Sequence, residues 1–221
     1  MKPKRQIKPE VCRLIKKASI LLVLVGSLLI SVGIFQYGQT KNAQKASLQE
    51  AYELIVPPEE PFHFAKSAVE NKKVTMTSNA SFNPLQGEVS GILVIPALDA
   101  ELPIIEGTDE DELEKGVGHF KGSAYPSQND QIVLSGHRDT VFRQMGDLNA
   151  GDELIIKVPY GEFTYIIKDS QIVDANDTSI IKSTAPQEVL IVSTCYPFSY
   201  IGDAPFRYVL TALPAADKNE G

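Results

Sequence analysis

Residues 18–40 form the longest uncharged stretch in the chain, and the eighteen that begin it, ASILLVLVGSLLISVGIF, are broken only by Ser and Gly. As a helix the stretch rises about 35 Å, enough to cross a hydrocarbon layer about 30 Å thick. Seven basic residues precede it (Lys2, Lys4, Arg5, Lys8, Arg13, Lys16 and Lys17), while only Lys41 and Lys45 follow closely. The positive-inside rule then puts the N-terminus in the cytoplasm and residues 41–221 outside, as a single-pass cell-membrane protein. A cleaved signal peptide is the rival. Its apolar core would be unusually long, and no small-x-small site stands before a polar start. An uncleaved signal anchor is therefore expected.

Charge divides the chain in the same way. Residues 1–17 carry a net +6 and residues 41–221 a net −13, within an overall −7. A nucleic-acid binder needs a basic face on its folded part, and here the folded part is acidic, so no nucleic-acid partner is expected. The anchor also separates the two cysteines: Cys12 lies on the cytoplasmic side and Cys195 outside. A lone thiol in an exported domain is a reactive group, an intermolecular link or a small buried residue, and on this ground alone all three stay open.

Residues 41–56 have helical composition, and Pro57, Pro58 and Pro61 end it. Residues 41–88 are read as a stalk or linker, with one short helix that can fold back on the domain. From Val89 the pattern changes to short β-branched runs at residues 91–95, 102–105, 131–134, 153–158, 163–168, 171–173, 189–193 and 207–212. Pro159-Tyr160-Gly161 between two runs reads as a hairpin loop. Residues 109–115 (DEDELEK) read as a helix with acids at its start, where the dipole favours them, and residues 177–181 as a further turn. Many short strands with few helices point to a mainly β domain, either a closed antiparallel barrel or a sandwich. It would occupy residues 89–214, followed by a tail at 215–221.

Three residues that can carry chemistry flank apolar runs. His137 follows QIVLSG, Cys195 follows VLIVST, and Arg207 begins RYVLTA. Strand ends are rigid supports for exposed reactive groups. Brought to one face, these three suit acyl transfer. A thiolate attacks a carbonyl, an imidazolium protonates the departing amine, and a guanidinium holds the developing oxyanion or the substrate backbone. Arg207 paired with one of the many acids is the competing reading. His63, in the stalk, reads as a surface or satisfied core residue. Ser135 lacks the Gly-x-Ser-x-Gly elbow of a serine nucleophile. No zinc or EF-hand pattern is present, so no cofactor is expected. A calcium ion on the acids between Glu106 and Glu114 has only weak support against a solvated helix face.

Three longer segments, taken together, are similar to those of sortases, the membrane-anchored cysteine transpeptidases of Gram-positive bacteria. They are GILVIPALDAELPIIEG (91–107), GVGHFKGSAYPSQNDQIVLSGHRDTVF (116–142) and LIVSTCYPFSYIGDAPFRYVL (190–210). The family's Thr-Leu-x-Thr-Cys sequence reads Ile191-Val192-Ser193-Thr194-Cys195 here, keeping the last two positions. The Gly-His-Arg-Asp-Thr string and the segment after Cys195 look most like class D members. The Asp-Pro-Trp or Asp-Pro-Phe lid of pilin-polymerising members is absent from the sequence ahead of the strands.

The resemblance implies an eight-stranded sortase β-barrel with Cys195 as nucleophile, His137 as general acid and base, and Arg207 as the substrate-orienting, oxyanion-stabilising residue. Thr194 falls on a position that helps hold substrate, and His119 is treated as structural. The implied substrates are secreted proteins with a Leu-Pro-x-Thr-type sorting signal, cut after Thr and joined to an amine of a peptidoglycan precursor. The alternatives are a membrane-tethered cysteine endopeptidase that hydrolyses, and a non-enzymatic wall-binding β-domain. Unperturbed thiol and imidazole groups titrate near pH values of about 8.5 and about 6.5, so the two-group mechanism predicts a bell-shaped kcat/KM profile.

Overall fold

The computed structural model describes residues 9–55, 82–199 and 202–216. His63 and most of the expected stalk, residues 56–81, lie outside the described residues. The chain divides into two compact units, Met1–Asn42 and Ala43–Gly221.

Helix α1 runs from Pro9 to Ile55, past the expected end of the anchor. No Gly or Pro follows Gly38 until Pro57, and residues 41–55 are mostly good helix formers, so nothing in the sequence stops propagation. In the first unit its large apolar side chains are uncovered, with Ile20 61%, Leu22 75% and Ile34 67% exposed. Lys16–Ile55 is long and apolar enough to span a bilayer.

The second unit is a closed eight-stranded barrel. Its strands are β1 (Val89–Ile95), β2 (Ala100–Glu106), β3 (Val117–His119), β4 (Gln131–Gly136), β5 (Glu153–Val158), β6 (Gly161–Asp174), β7 (Val189–Tyr196) and β8 (Phe206–Pro214). Around the barrel they follow the order β1, β2, β3, β4, β7, β8, β6, β5. Helix α2 (Glu110–Lys115) joins β2 to β3, and its start is tightened by the Asp109 N–H, which donates to the Glu112 carboxylate at 3.1 Å.

Two expectations need correcting. The barrel is not wholly antiparallel, because β2 pairs with β3, and β4 with β7, in parallel. Residues 163–168 and 171–173 are not separate strands. They belong to β6, which continues through an irregularity between Ile167 and Asp169 in its pairing with β8. The eighth strand is instead the short β3, which no apolar run announces. The expected hairpin is present, with Val158 opposite Gly161, and the Ile181 N–H donates to the Thr178 carbonyl at 3.0 Å in the expected turn.

Strands with one wet face alternate polar and apolar residues, but GILVI, QIVL and VLIV do not. The reason is that both faces are covered. Leu93, Ile95, Ile132, Leu134, Leu190 and Val192 fill the interior with Phe142, Met145 and Tyr165. On the outer face of β1 and β2, Val89, Ile92 and Ile105 are covered by Ala51, Leu48 and Ile55 from the last turns of α1. Tyr52 of the same turns donates a hydrogen bond to Glu101. On the outer face of β4, β7 and β8, Val133, Ile191 and Val209 lie beneath Phe120 and Ile180. Burying each such aliphatic side chain stabilises the fold by about 1.5–3 kcal/mol before ordering entropy is counted.

Candidate active site

Parallel pairing of β4 with β7 sets Gly136 opposite Thr194, so the next residues, His137 just after β4 and Cys195 near the end of β7, come side by side. Antiparallel pairing of β7 with β8 sets Cys195 directly opposite Arg207. Directly opposed residues share a face of the sheet, with Cβ atoms roughly 4.5–5.5 Å apart. All three side chains line one open cleft of about 760 Å³. The residues singled out in sequence are therefore gathered by three strand ends that are far apart in the chain.

The turn after β4 is tightly built. The Phe142 N–H donates to the His137 carbonyl at 3.0 Å. A Cβ on Gly136 would lie 2.7 Å from the Phe142 ring and from Val141, so only glycine lets this turn fold over the strand end. Thr194, expected to hold substrate, is 2% exposed, and its hydroxyl donates to the Gly136 carbonyl at 2.7 Å. Neighbouring residues on a strand face opposite ways, so Thr194 turns inward where Cys195 turns out. It ties the strand bearing the thiol to the strand bearing the imidazole.

Cys195 is a free thiol and partly exposed, as is His137. Among the described residues no hydrogen bond engages the His137 ring or the Cys195 sulfur. The Arg207 guanidinium donates from Nη1 to the Ala204 carbonyl at 3.2 Å and the Phe206 carbonyl at 3.0 Å. Among the described residues no carboxylate pairs with it.

Sequence reasoning missed several neighbours. Arg138 also lines the cleft, and donates to the Pro197 carbonyl at 3.3 Å and the Gly202 carbonyl at 2.8 Å. It fastens the turn after His137 to the segment after Cys195. Glu110, Asp139, Asp174 and Asp203 give the cleft an acidic rim. Their charge was visible in the sequence, but their convergence depends on loops that periodicity does not place.

His119 is elsewhere. It is 1% exposed, with Nδ1 2.6 Å from Glu106 Oε2 and Nε2 3.0 Å from the Ala124 carbonyl. Tyr125 stacks on the ring at 3.9 Å and donates its hydroxyl to the same Glu106 oxygen at 2.6 Å. Burial pushes the Glu106 carboxyl up, but the hydrogen bonds from His119 and Tyr125 outweigh it and hold the group below its ordinary value. Burial, and then the bond to Glu106, push the Tyr125 hydroxyl far up. Among the described residues no three His, Cys, Asp or Glu side chains are arranged to hold a metal ion.

Comparison with known proteins agrees with this architecture. A family model described as Sortase domain matches residues 93–215. Sortase D of Bacillus subtilis (strain 168) is 49% identical over 195 residues, covering 88% of this chain and 96% of that protein. The catalytic domain of B. anthracis SrtD is 37% identical with a TM-score of 0.50, covering 70% of this chain and 97% of that one. A Clostridium perfringens Sortase D5 transpeptidase superposes with a TM-score of 0.64 at 22% identity, over 79% of this chain and 99% of that one, a likeness that bears on the fold.

Proposed function

The chain belongs to the sortase family of cysteine transpeptidases, class D, and from that premise we propose that it cuts a Leu-Pro-x-Thr-type sorting signal after Thr and transfers the protein to a peptidoglycan precursor amine. The observation that carries this reading is the register that sets Cys195 opposite Arg207, beside the strand end bearing His137, in a single open cleft.

In the proposed reaction the Cys195 thiolate attacks the Thr carbonyl carbon. The carbonyl π electrons move onto oxygen, and Arg207 offsets that charge. The oxyanion collapses, the C–N bond breaks, and His137 protonates the departing amine, leaving a thioester. An acceptor amine then attacks the thioester and gives a proton to His137, and the C–S bond breaks to restore the thiolate. Among the described residues the Arg207 guanidinium bonds to backbone carbonyls of its own segment, so turning to substrate breaks no ion pair among them. The acidic rim suits an acceptor that arrives as an ammonium and gives one proton to solvent before it attacks as the free amine. Thr194, with its hydroxyl given to Gly136, acts by holding the two strand ends together and so shapes the substrate site from behind.

The apolar N-terminal helix and the family together point to membrane anchoring. The basic flank at residues 1–17 supports a cytoplasmic N-terminus and an extracellular barrel over residues 89–214. Catalysis in this proposal uses protein side chains alone.

The test is intact-mass analysis of the full chain in detergent with a panel of Leu-Pro-x-Thr-type peptides. The expected result is an adduct equal to the peptide cut after Thr, removed by hydroxylamine and missing in Cys195→Ala. Adding an amine should convert it to ligated product. Release by water alone, whatever amine is supplied, would instead identify an endopeptidase. A folded protein that gives no adduct with any peptide would overturn the proposal in favour of a binding domain.

A further inference from the structure

Residues 175–188 connect β6 to β7 and begin at the cleft, where Asp174, Ala175 and Asn176 form part of the wall. The Ala175 N–H donates to the Pro205 carbonyl at 2.9 Å, which joins this wall to the segment leading into Arg207. The connection then passes over the outer face of the barrel, where Ile180 packs on Val133 and Ile191. Fourteen residues with little regular structure are costly to order, so something must hold them.

Two residues at the start of β4 do so. The Asp130 carboxylate accepts from the Gln131, Thr184 and Ala185 N–H groups at 2.8, 2.6 and 3.1 Å, and from the Ser183 hydroxyl at 3.0 Å. Gln131, 5% exposed, donates from Nε2 to the Ile180 carbonyl at 2.8 Å and accepts from the Lys182 N–H at 2.9 Å. Thr184 first, and then Gln131, hold the Asp130 carboxyl below its ordinary range, so the group is ionised and accepting at neutral pH. The clamp and His137 sit at opposite ends of one strand, roughly 20 Å apart at 3.3 Å per residue. Asp130 cannot touch the reacting atoms.

We propose that Asp130, aided by Gln131, is a positioning residue for substrate, clamping residues 175–188 to the barrel so that the wall of the Cys195 cleft is already formed before the sorting signal arrives. The inference rests on the proposed function, since it takes the Cys195 cleft as the place where the peptide binds. A wall ordered in advance spares the substrate that ordering entropy, so the clamp acts on affinity and not on the chemical step.

The experiment compares wild type, Asp130→Ala, Asp130→Asn and Gln131→Ala as full chains in detergent, using the peptide that gives the strongest adduct. KM and kcat are measured separately, together with the iodoacetamide alkylation rate of Cys195. For Asp130→Ala the expected outcome is a KM raised about tenfold, with kcat and alkylation within about twofold of wild type. Asp130→Asn keeps one accepting oxygen and should recover part of the affinity, and Gln131→Ala should move KM in the same direction. A lower melting temperature with KM unchanged would reduce the clamp to a structural role and overturn the inference. So would a collapse of kcat and alkylation together. Should wild type itself give no adduct, the functional reading fails first. Amide exchange of residues 174–176 then decides the clamp: faster exchange in Asp130→Ala supports it, and unchanged exchange overturns it.

Discussion

His119 ends β3 and His137 follows β4, strands that pair antiparallel with Gly118 opposite Ser135, yet the two imidazoles are in opposite situations. Around His119 both ring nitrogens are occupied, by Glu106 on one side and by Ala124 and Ser123 on the other, and Tyr125 covers the ring face. Around His137 the ring is partly exposed beside a free thiol, with no hydrogen bond to it among the described residues. A saturated imidazole holds structure together but cannot exchange protons with a substrate, whereas an unsaturated one at a cleft can. The difference lies in partners and access, because the residue type is the same and both stand at a strand end.

That contrast is sharpest in paired variants. His137→Ala should lower kcat/KM by about 10²–10⁴-fold, the usual contribution of general acid–base catalysis, while the melting temperature stays near wild type. His119→Ala should do the reverse. Losing one partner of a buried charged cluster costs about 3–5 kcal/mol, while the molecules that remain folded keep kcat/KM within about threefold. Comparable activity losses in both folded variants would break the distinction.

Thr194→Val lies between the two cases. It keeps the shape but leaves the buried Gly136 carbonyl without its donor, a loss of about 1–3 kcal/mol in stability. Because it links the two reactive strand ends, an accompanying fall in kcat of about tenfold is expected, amounting to roughly 1.4 kcal/mol in activation free energy. A full-activity Thr194→Val variant would show that the strand ends hold their spacing without this bond.

The smallest effect is one of pH. Glu106 is held below its ordinary value in the fold, so it contributes stability above the ordinary carboxylate range and loses that contribution as pH falls through its lower folded value. Acid unfolding of wild type should therefore be steeper than that of Glu106→Gln, which should be less stable at neutral pH and change less on acidification. Parallel acid limbs would remove Glu106 from the account.

How much of this the chain spells out varies from element to element. The runs that became β1, β4, β5, β7 and β8 were legible because each is β-branched and bounded by turn residues. The three residues of β3, Val-Gly-His, are too few to show a period. In β6 the polar Lys168-Asp169-Ser170 interrupts the apolar pattern at the irregularity, so one strand reads as two. Parallel pairing leaves no local trace, since periodicity reports which face is buried and is silent on the neighbour. His137, Cys195 and Arg207 were legible as strand-end positions and by family resemblance. Arg138, Glu110 and the Asp130 clamp act through loop geometry that forms only when distant segments meet.

The parallel pairing of β4 with β7 has a consequence for biogenesis. Its partners are separated by 58 residues of chain, and β8, which supplies Arg207, comes later still. Contacts so distant in sequence form late, because loop closure must precede them. A chain synthesised from its N-terminus presents the imidazole well before the thiol, and the guanidinium last. His137, Cys195 and Arg207 can therefore come together only once nearly the whole chain has emerged, so a partly synthesised molecule carries no assembled cleft.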